Sequence, residues 1–254
     1  MSNIDTGKRL VPSGVLTMYA IGNISLIRTR YQSYNGGADW YNKQLFQGEP
    51  AFDDVFHKVW KILFRPSIPV ATVIETQLQE MNLIPGAYVS AHLRALYNKN
   101  DRDIGIIREW TENALNCASQ LRPGRPIFFA SDSANASMIA SVYAEMKGGI
   151  IVTHTPNPNP PLHLDRCADW QTRQPYEFYD TFVDLYLLAL GGCVTYNKGG
   201  YGHWSLLIGG NVSCSINQKT GVTRGYTVCD WEEGSLSLPE DPVWNTPLFP
   251  EIMD

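Results

Sequence analysis

The sequence predicts an α/β fold with a Rossmann-like, doubly wound parallel sheet. From about residue 70 to residue 210, short apolar segments alternate with longer segments in which apolar residues recur at helical spacing. This order is typical of parallel strands that are joined by helical crossovers. The composition agrees with a globular domain, because 44% of the 254 residues are apolar and 18% are charged.

The predicted helices are bounded by prolines, glycines and polar capping residues. They cover residues 50–63, 70–81, 104–121, 134–146, 177–190 and 203–208. Ser133 or Asp132 can cap the helix that begins at residue 134, because either side chain can accept a hydrogen bond from the first turn.

The predicted strands are short and mostly apolar. They cover residues 88–92, 126–130, 150–154, 193–196 and 226–229. The proline-containing loop 155–175 is long, and such loops often carry function. We predict one α/β domain over 50–232. An irregular lead-in, or the remnant of a missing N-terminal lobe, covers 1–49, and a Pro-rich extension covers 233–254.

Charge and motif content argue against several classes of function. The net charge of −5, without a basic block, argues against a nucleic-acid surface. No run of about 18 apolar residues occurs, so we expect no membrane span. The cysteines form no CxxC pair and the histidines no HxxxH pair, so we expect no metal site. Sequons at Asn23, Asn135 and Asn211 favour the secretory pathway, in the lumen of the Golgi or endoplasmic reticulum.

The segment 86–94 is the centre of the predicted site. It forms a buried strand that ends in His92 and Arg94. A guanidinium is costly to bury unpaired, and in parallel sheets the carboxyl ends of the strands face the ligand crevice. Arg94 is therefore a candidate ligand for a phosphate or carboxylate, which a guanidinium can bind through two parallel hydrogen bonds. A solvent-exposed arginine at a strand end is the simpler alternative.

A glycine-rich segment follows the predicted strand 193–196. Gly200, Tyr201 and Gly202 precede the predicted helix 203–208, where backbone N–H groups and small residues suit an anion. The segment is neither a phosphate loop of the G-x-x-x-x-G-K-[ST] type nor a complete dinucleotide fingerprint. A glycine turn without a ligand is the alternative interpretation.

Acidic residues offer two further kinds of candidate. Asp184 lies within an apolar helix and needs a donor, which is either a protein group or the N–H edge of a base. Asp132 either contacts the ligand or caps its helix. Asp101 and Asp103 form a D-x-D pair that can hold a metal at a diphosphate, but we favour helix capping because the pair precedes a helix.

Three blocks together resemble the GDP-fucose-dependent fucosyltransferases, which include the α1,2-, α1,6- and protein O-fucosyltransferases. The blocks are Val89-Ser-Ala-His-Leu-Arg94, the strand that ends at Asp132, and Phe182-Val-Asp-Leu-Tyr-Leu-Leu-Ala-Leu190 with the residues 196–202 that follow. The resemblance covers roughly 50–210. It implies the C-terminal, nucleotide-binding lobe of a two-lobed GT-B glycosyltransferase.

The resemblance also implies roles for individual residues. Arg94 would neutralise the diphosphate and assist its departure, with His92 beside it. Asp184 would contact the guanine edge. The segment 200–202 would lie near the diphosphate, and Asp132 falls in the middle block. GDP-fucose would be the donor substrate, without a metal or other cofactor, and a glycan or protein hydroxyl would be the acceptor.

The sequence departs from the family pattern in ways that leave three functions open. Ala95 and Tyr97 stand where the family often has a second arginine and an acidic residue, and the serines of the diphosphate turn are absent. The chain is an inverting fucosyltransferase-like lobe, an inactive nucleotide-sugar or glycan-binding module derived from one, or a transferase for another nucleotide sugar. Asp101, Asp103 and Asp132 are the candidates for a general base.

Overall fold

The structure is a computed structural model that describes residues 52–96, 103–147, 151–153, 172–210, 214–220 and 227–231. The chain divides into two compact units between Ser67 and Ile68. In the first unit, helix α1 (Phe52–Leu63) confirms the predicted helix 50–63. The ring of Trp60 lies 4.6 Å from that of Phe64, measured between centroids. The predicted domain boundaries at 49/50 and 232/233 lie outside the described residues.

The second unit contains the sheet and the helices that cover it. Its elements are α2 (Ile68–Glu80), β1 (Val89–Leu93), α3 (Ile104–Leu121), β2 (Ile127–Ser131), α4 (Ala134–Lys147), β3 (Ile151–Thr153), a 3₁₀ turn (Pro175–Phe178), α5 (Tyr179–Ala189), β4 (Cys193–Tyr196), α6 (Gly200–Gly209), β5 (Ser215–Thr220) and β6 (Thr227–Trp231). None of the described helices is long and apolar enough to cross a bilayer.

The described strands form one sheet in the order β3-β2-β1-β4-β5-β6. Neighbouring strands from β3 to β5 are parallel, and β6 pairs antiparallel with β5. Helices α3 and α4 pack on one face of the sheet, whereas α5 and α6 pack on the other. The predicted α/β fold with a parallel sheet is confirmed, and the arrangement is consistent with a Rossmann-like fold.

Strand order changes direction between β1 and β4. The chain runs from β1 outward to β2 and β3, then crosses the sheet through α5 and continues from β4 to β5 on the other side. At such a switch point the connections after the two central strands leave toward opposite faces, and a crevice opens between them. The residues that directly follow β1 and β4 are therefore the ones placed to meet a ligand.

Alternation along β1 separates apolar from polar side chains. Val89, Ala91 and Leu93 belong to the buried core on the α3 side. Ser90 and His92 point to the α5 and α6 side, where a β-carbon on Gly191 would overlap Ser90 and one on Gly202 would lie 2.9 Å from His92 Nδ1. This single strand thus supplies both core packing and the polar lining of the other face.

The boundaries of several elements differ from the prediction. Helix α3 and strand β4 coincide with it, and the first strand is shifted by one residue. Helix α6 begins at Gly200 rather than at residue 203. The prediction placed its start too late because glycine has a low helix propensity, yet Gly200 and Gly202 are both helical. Strand β5 was not predicted, since Ile216 is its sole apolar side chain. The antiparallel direction of β6 was also not anticipated.

Two disulfides connect elements of the second unit. Cys193 at the start of β4 is bonded to Cys214 just before β5, and Cys117 in α3 is bonded to Cys229 in β6. The first bond closes a loop that contains the whole of α6 and the glycines at its start. The fifth cysteine, Cys167, lies outside the described residues.

Candidate functional site

The carboxyl ends of β1 and β4 are joined by one side chain. Asn197, which follows β4, accepts a hydrogen bond from the Arg94 backbone N–H at 2.8 Å and donates one to the Arg94 carbonyl oxygen at 3.2 Å. Asn197 is only 4% exposed. Its primary amide carries a donor and an acceptor as a peptide group does, and it continues the β1–β4 pairing one step beyond the strands.

Asp132 holds the same segment from the other side. Its carboxylate accepts hydrogen bonds from the backbone N–H groups of Ala95 at 2.7 Å and Leu96 at 3.2 Å. The cap of α4 is instead Ser133, whose hydroxyl accepts a hydrogen bond from the Ala136 N–H at 3.3 Å. Of the two predicted capping residues, Ser133 has that role in the structure.

The Arg94 side chain lies against the N-terminus of α6. A β-carbon built on Gly199, the N-cap residue, would lie 3.0 Å from both Cδ and Nη1 of Arg94. Gly199 adopts φ 100° and ψ 164°, a conformation accessible almost only to glycine. The positive end of a ten-residue helix and the half-buried Arg94 are therefore adjacent at this edge.

Gly200 and Gly202 have different surroundings. A β-carbon on Gly200 would have no described atom within 4 Å, so the first turn of α6 borders open space at this residue. A β-carbon on Gly202 would lie 2.5 Å from the Tyr196 β-carbon and 2.9 Å from His92 Nδ1. Gly200 thus leaves room for a ligand, whereas Gly202 allows α6 to pack closely on β1 and β4. We call Arg94, Asn197, Gly199 and Gly200 the β1–β4 edge.

His92 packs beneath α6. Its side chain is 5% exposed, and its ring lies 5.1 Å from the Tyr201 ring, measured between centroids, at an angle of 42°. The structure therefore brings His92 next to the first turn of α6, but inside the protein rather than at an open surface.

Tyr201 connects α6 to the predicted base-binding aspartate. Its hydroxyl donates a hydrogen bond to the Thr181 carbonyl oxygen. Burial raises the pKa of the Tyr201 phenol well above its usual range, and the nearby Asp184 carboxylate raises this pKa further. Asp184 is half-buried and lies close enough to Tyr201 to affect its titration. Tyr201 is hence a packing and bridging residue between α5 and α6.

Two of the three candidates for a general base accept hydrogen bonds from backbone N–H groups. Asp103 caps α3, because its carboxylate accepts a hydrogen bond from the Gly105 N–H at 2.8 Å. This confirms the capping role predicted for it. Asp132 binds the backbone N–H groups of Ala95 and Leu96, and Asp101 lies outside the described residues. Among those residues, no group of three or more His, Cys, Asp or Glu side chains gathers in a metal-binding arrangement.

Sequence reasoning did not identify the hydrogen bonds of Asn197 to Arg94 or the close approach of Gly199 to the Arg94 side chain. The signal available for Asn197 was its place directly after a buried strand, and for Gly199 it was the pair of glycines after that strand. The Tyr201 ring packs against His92, and the Asp184 carboxylate is near enough to raise the pKa of the Tyr201 phenol. Comparison with protein-family models and with curated proteins finds no match to this chain.

Proposed function

We propose that the β1–β4 edge binds the diphosphate of a nucleotide sugar, and that the chain is a fucosyltransferase-like glycosyltransferase using GDP-fucose. The proposal extends the resemblance of the three sequence blocks to the C-terminal lobe of a GT-B enzyme. The observation that carries it is the contact of the Arg94 side chain with Gly199 at the N-terminus of α6.

Two positively polarised groups at one sheet edge favour a doubly charged anion. A guanidinium donates parallel hydrogen bonds to phosphate oxygens, and the first N–H groups of a helix point toward an anion at its N-terminus. The open space at Gly200 lets phosphate oxygens approach the backbone. Since the edge is at the switch point of a parallel sheet, its position also agrees with where such folds bind nucleotides.

The remaining predicted residues suit the rest of a nucleotide sugar. Asp184 lies in α5 and is half-buried, and its carboxylate can accept hydrogen bonds from the N–H groups of a guanine edge. His92 supports the first turn of α6 through its ring contact with Tyr201, which belongs to that turn. A glycan or protein hydroxyl is the acceptor in this proposal, and the reaction requires no metal.

The proposed reaction is a single displacement with inversion. The acceptor oxygen attacks the anomeric carbon of fucose, the bond from that carbon to the diphosphate oxygen breaks, and a base takes the acceptor proton. Arg94 stabilises the negative charge that develops on the departing diphosphate, which is electrostatic catalysis.

A second candidate is an inactive nucleotide-sugar or glycan-binding module derived from such a lobe. It is favoured by the surroundings of Ala95, Asp103 and Asp132. Ala95 is completely buried in the core where the family often has a second arginine, and both aspartates accept backbone hydrogen bonds. Binding of GDP-fucose without hydrolysis or transfer would support this candidate over the enzyme.

The disulfides bear on the compartment. Stable disulfides form in oxidising compartments and are rare in the cytosol. The pairs Cys193–Cys214 and Cys117–Cys229 therefore support the lumen of the Golgi or endoplasmic reticulum as the proposed location.

Calorimetric titration with GDP tests the proposal. We expect the wild-type chain to bind GDP and Arg94→Ala to lower the affinity by about 30-fold or more. Arg125→Ala is the matched control, because Arg125 is exposed and precedes β2 at the opposite end of the sheet. An unchanged GDP affinity in Arg94→Ala would contradict the proposal.

A thermal-shift panel with GDP, UDP, CDP and ADP tests the choice of nucleotide. A ligand that binds the native state raises the melting temperature by an amount that grows with its affinity and concentration. The largest shift is expected with GDP. A larger shift with UDP, CDP or ADP would identify a transferase or module for another nucleotide sugar.

A further inference from the structure

We propose that Asn197 and Asp132 are positioning residues that hold the backbone 94–96 from both sides and thereby fix the Arg94 guanidinium at the N-terminus of α6. The inference deepens the proposed diphosphate site and rests on it. It gives Asn197 a role that the sequence did not predict. It also gives Asp132 a role other than the predicted ones of ligand contact, helix cap and general base.

Asn197 acts where the β1–β4 ladder ends. The last paired residues of these strands are His92 and Tyr196, and the backbones then diverge toward opposite faces of the sheet. The Asn197 side chain supplies the acceptor and the donor for the Arg94 backbone, at 2.8 and 3.2 Å. Because Asn197 is 4% exposed, water competes little for these two hydrogen bonds.

Asp132 acts from the neighbouring strand on the other side. The β1–β2 ladder ends at the pair Leu93 and Ser131, one residue before Asp132. The carboxylate then accepts the N–H groups of Ala95 and Leu96, which are hydrogen bonds to a charged acceptor and therefore stronger than those between neutral groups. The segment after β1 is thus held by the side chains of the two residues that directly follow β2 and β4.

Fixing this backbone fixes the origin of the Arg94 side chain. Gly199 then lies against its Cδ and Nη1 atoms, which limits the rotamers that remain. An arginine that is ordered before the anion arrives loses less conformational entropy on binding. Asn197 and Asp132 contribute to affinity through Arg94, without themselves touching the ligand.

The substitution Asn197→Asp tests the clamp with almost no change in volume. It replaces the N–H donor that faces the Arg94 carbonyl by an oxygen, so that two acceptors face each other. Asn116→Asp is the matched control, because the Asn116 side chain is exposed and its oxygen accepts a hydrogen bond from the Tyr143 hydroxyl, which joins α3 to α4 on the other face of the sheet from His92.

Two readouts use the ligand-free protein. Amide hydrogen exchange is expected to be slow at Arg94, Ala95 and Leu96 in the wild type and to accelerate at least about tenfold at Arg94 in Asn197→Asp, with β1 still protected. NMR relaxation of the Arg94 Nε–H group is expected to show an ordered side chain in the wild type and in Asn116→Asp, and a mobile one in Asn197→Asp. Unchanged exchange and unchanged Arg94 order in Asn197→Asp would overturn the inference.

The third readout is the affinity for inorganic pyrophosphate by calorimetry. We expect Asn197→Asp to bind about tenfold more weakly than the wild type, and Asn116→Asp to bind equally well. Mobile Arg94 with unchanged affinity would overturn the positioning role. A wild type that binds neither pyrophosphate nor GDP would instead overturn the proposed function, and the two ligand-free readouts would then decide separately whether the clamp exists.

Discussion

Gly199 packs directly against Arg94, so that a β-carbon at position 199 would lie 3.0 Å from the arginine Cδ and Nη1. The neighbouring Gly200 borders open space. Two adjacent glycines therefore have separate tasks. One gives the backbone a conformation and a close approach that other residues lack, and the other keeps the entrance to the first turn of α6 clear.

The substitution Gly200→Ala separates ligand binding from folding. Alanine has a higher helix propensity than glycine, and no described atom would obstruct its methyl group, so we expect the free energy of unfolding to stay equal or to rise by up to about 1 kcal/mol. The methyl group would occupy the space proposed for phosphate oxygens, and pyrophosphate affinity should fall about tenfold. Urea denaturation and calorimetry measure the two effects. Unchanged affinity would mean that the anion does not approach this turn.

The substitution Gly202→Ala should affect folding. Its β-carbon would lie 2.5 Å from the Tyr196 β-carbon and 2.9 Å from His92 Nδ1, so α6 must move away from the sheet. We expect the free energy of unfolding to fall by about 1–3 kcal/mol, as is typical of overpacked cores. Urea denaturation of Gly202→Ala beside Gly200→Ala provides the comparison. Equal stability of the two variants would contradict the close packing at Gly202.

Removing the disulfide between Cys193 and Cys214 should destabilise the loop that contains α6. The bonded cysteines are separated by 21 residues in sequence, and closing a loop of this size contributes about 3 kcal/mol to the free energy of unfolding. We expect the double substitution of both cysteines by alanine to lower stability by that amount and to accelerate amide exchange in α6. Fast exchange confined to α3 and β6, which the other disulfide connects, would be inconsistent with this expectation.

Stability should decline at alkaline pH because of buried tyrosines. In the folded protein, burial raises the pKa of Tyr88 and of Tyr201 well above the usual value. In the unfolded chain both phenols ionise at about pH 10. Above that pH the unfolded state releases protons that the folded state keeps, so rising pH favours unfolding. Their stabilising contribution is complete below about pH 10 and is lost as the pH rises toward the folded-state values.

Urea denaturation between about pH 8 and about pH 11 measures this decline. Tyr88→Phe should show a shallower decline, although it loses the hydrogen bond that the Tyr88 hydroxyl donates to the Leu187 carbonyl oxygen. Tyr176→Phe is the control with a wild-type slope, since Tyr176 is 66% exposed. Identical slopes in the wild type and Tyr88→Phe would show that Tyr88 is not the source.

Elements with a strong apolar pattern were predictable, and elements formed by pairing were not. Helix α3 and strand β4 coincide with the prediction because the residues that they bury are apolar and form a recognisable pattern in their own sequence. Strand β5 is different, since it buries Ser215 and Gln218. The Gln218 amide donates to the Thr195 hydroxyl at 2.9 Å. Such a segment becomes a strand through its neighbours, and this information is absent from its local sequence.

The same distinction applies to the candidate site. The position of Arg94 followed from a general rule about the carboxyl ends of parallel strands. The hydrogen bonds of Asn197 and Asp132 to this segment span 103 and 37 residues in sequence. They depend on the order of strands in the sheet, which the alternation of helices and strands did not specify. The role of Asp184 toward a base stays a prediction.

The alternation along β1 has a consequence for how this chain can vary. Inserting or deleting one residue before His92 would rotate the end of the strand by half a period, exposing Leu93 to the polar face and driving the imidazole and the guanidinium into the apolar layer beneath α3. Changes of length are therefore compatible with this fold in the connections but not within β1, and inherited variation in this strand should consist of substitutions that preserve its two faces.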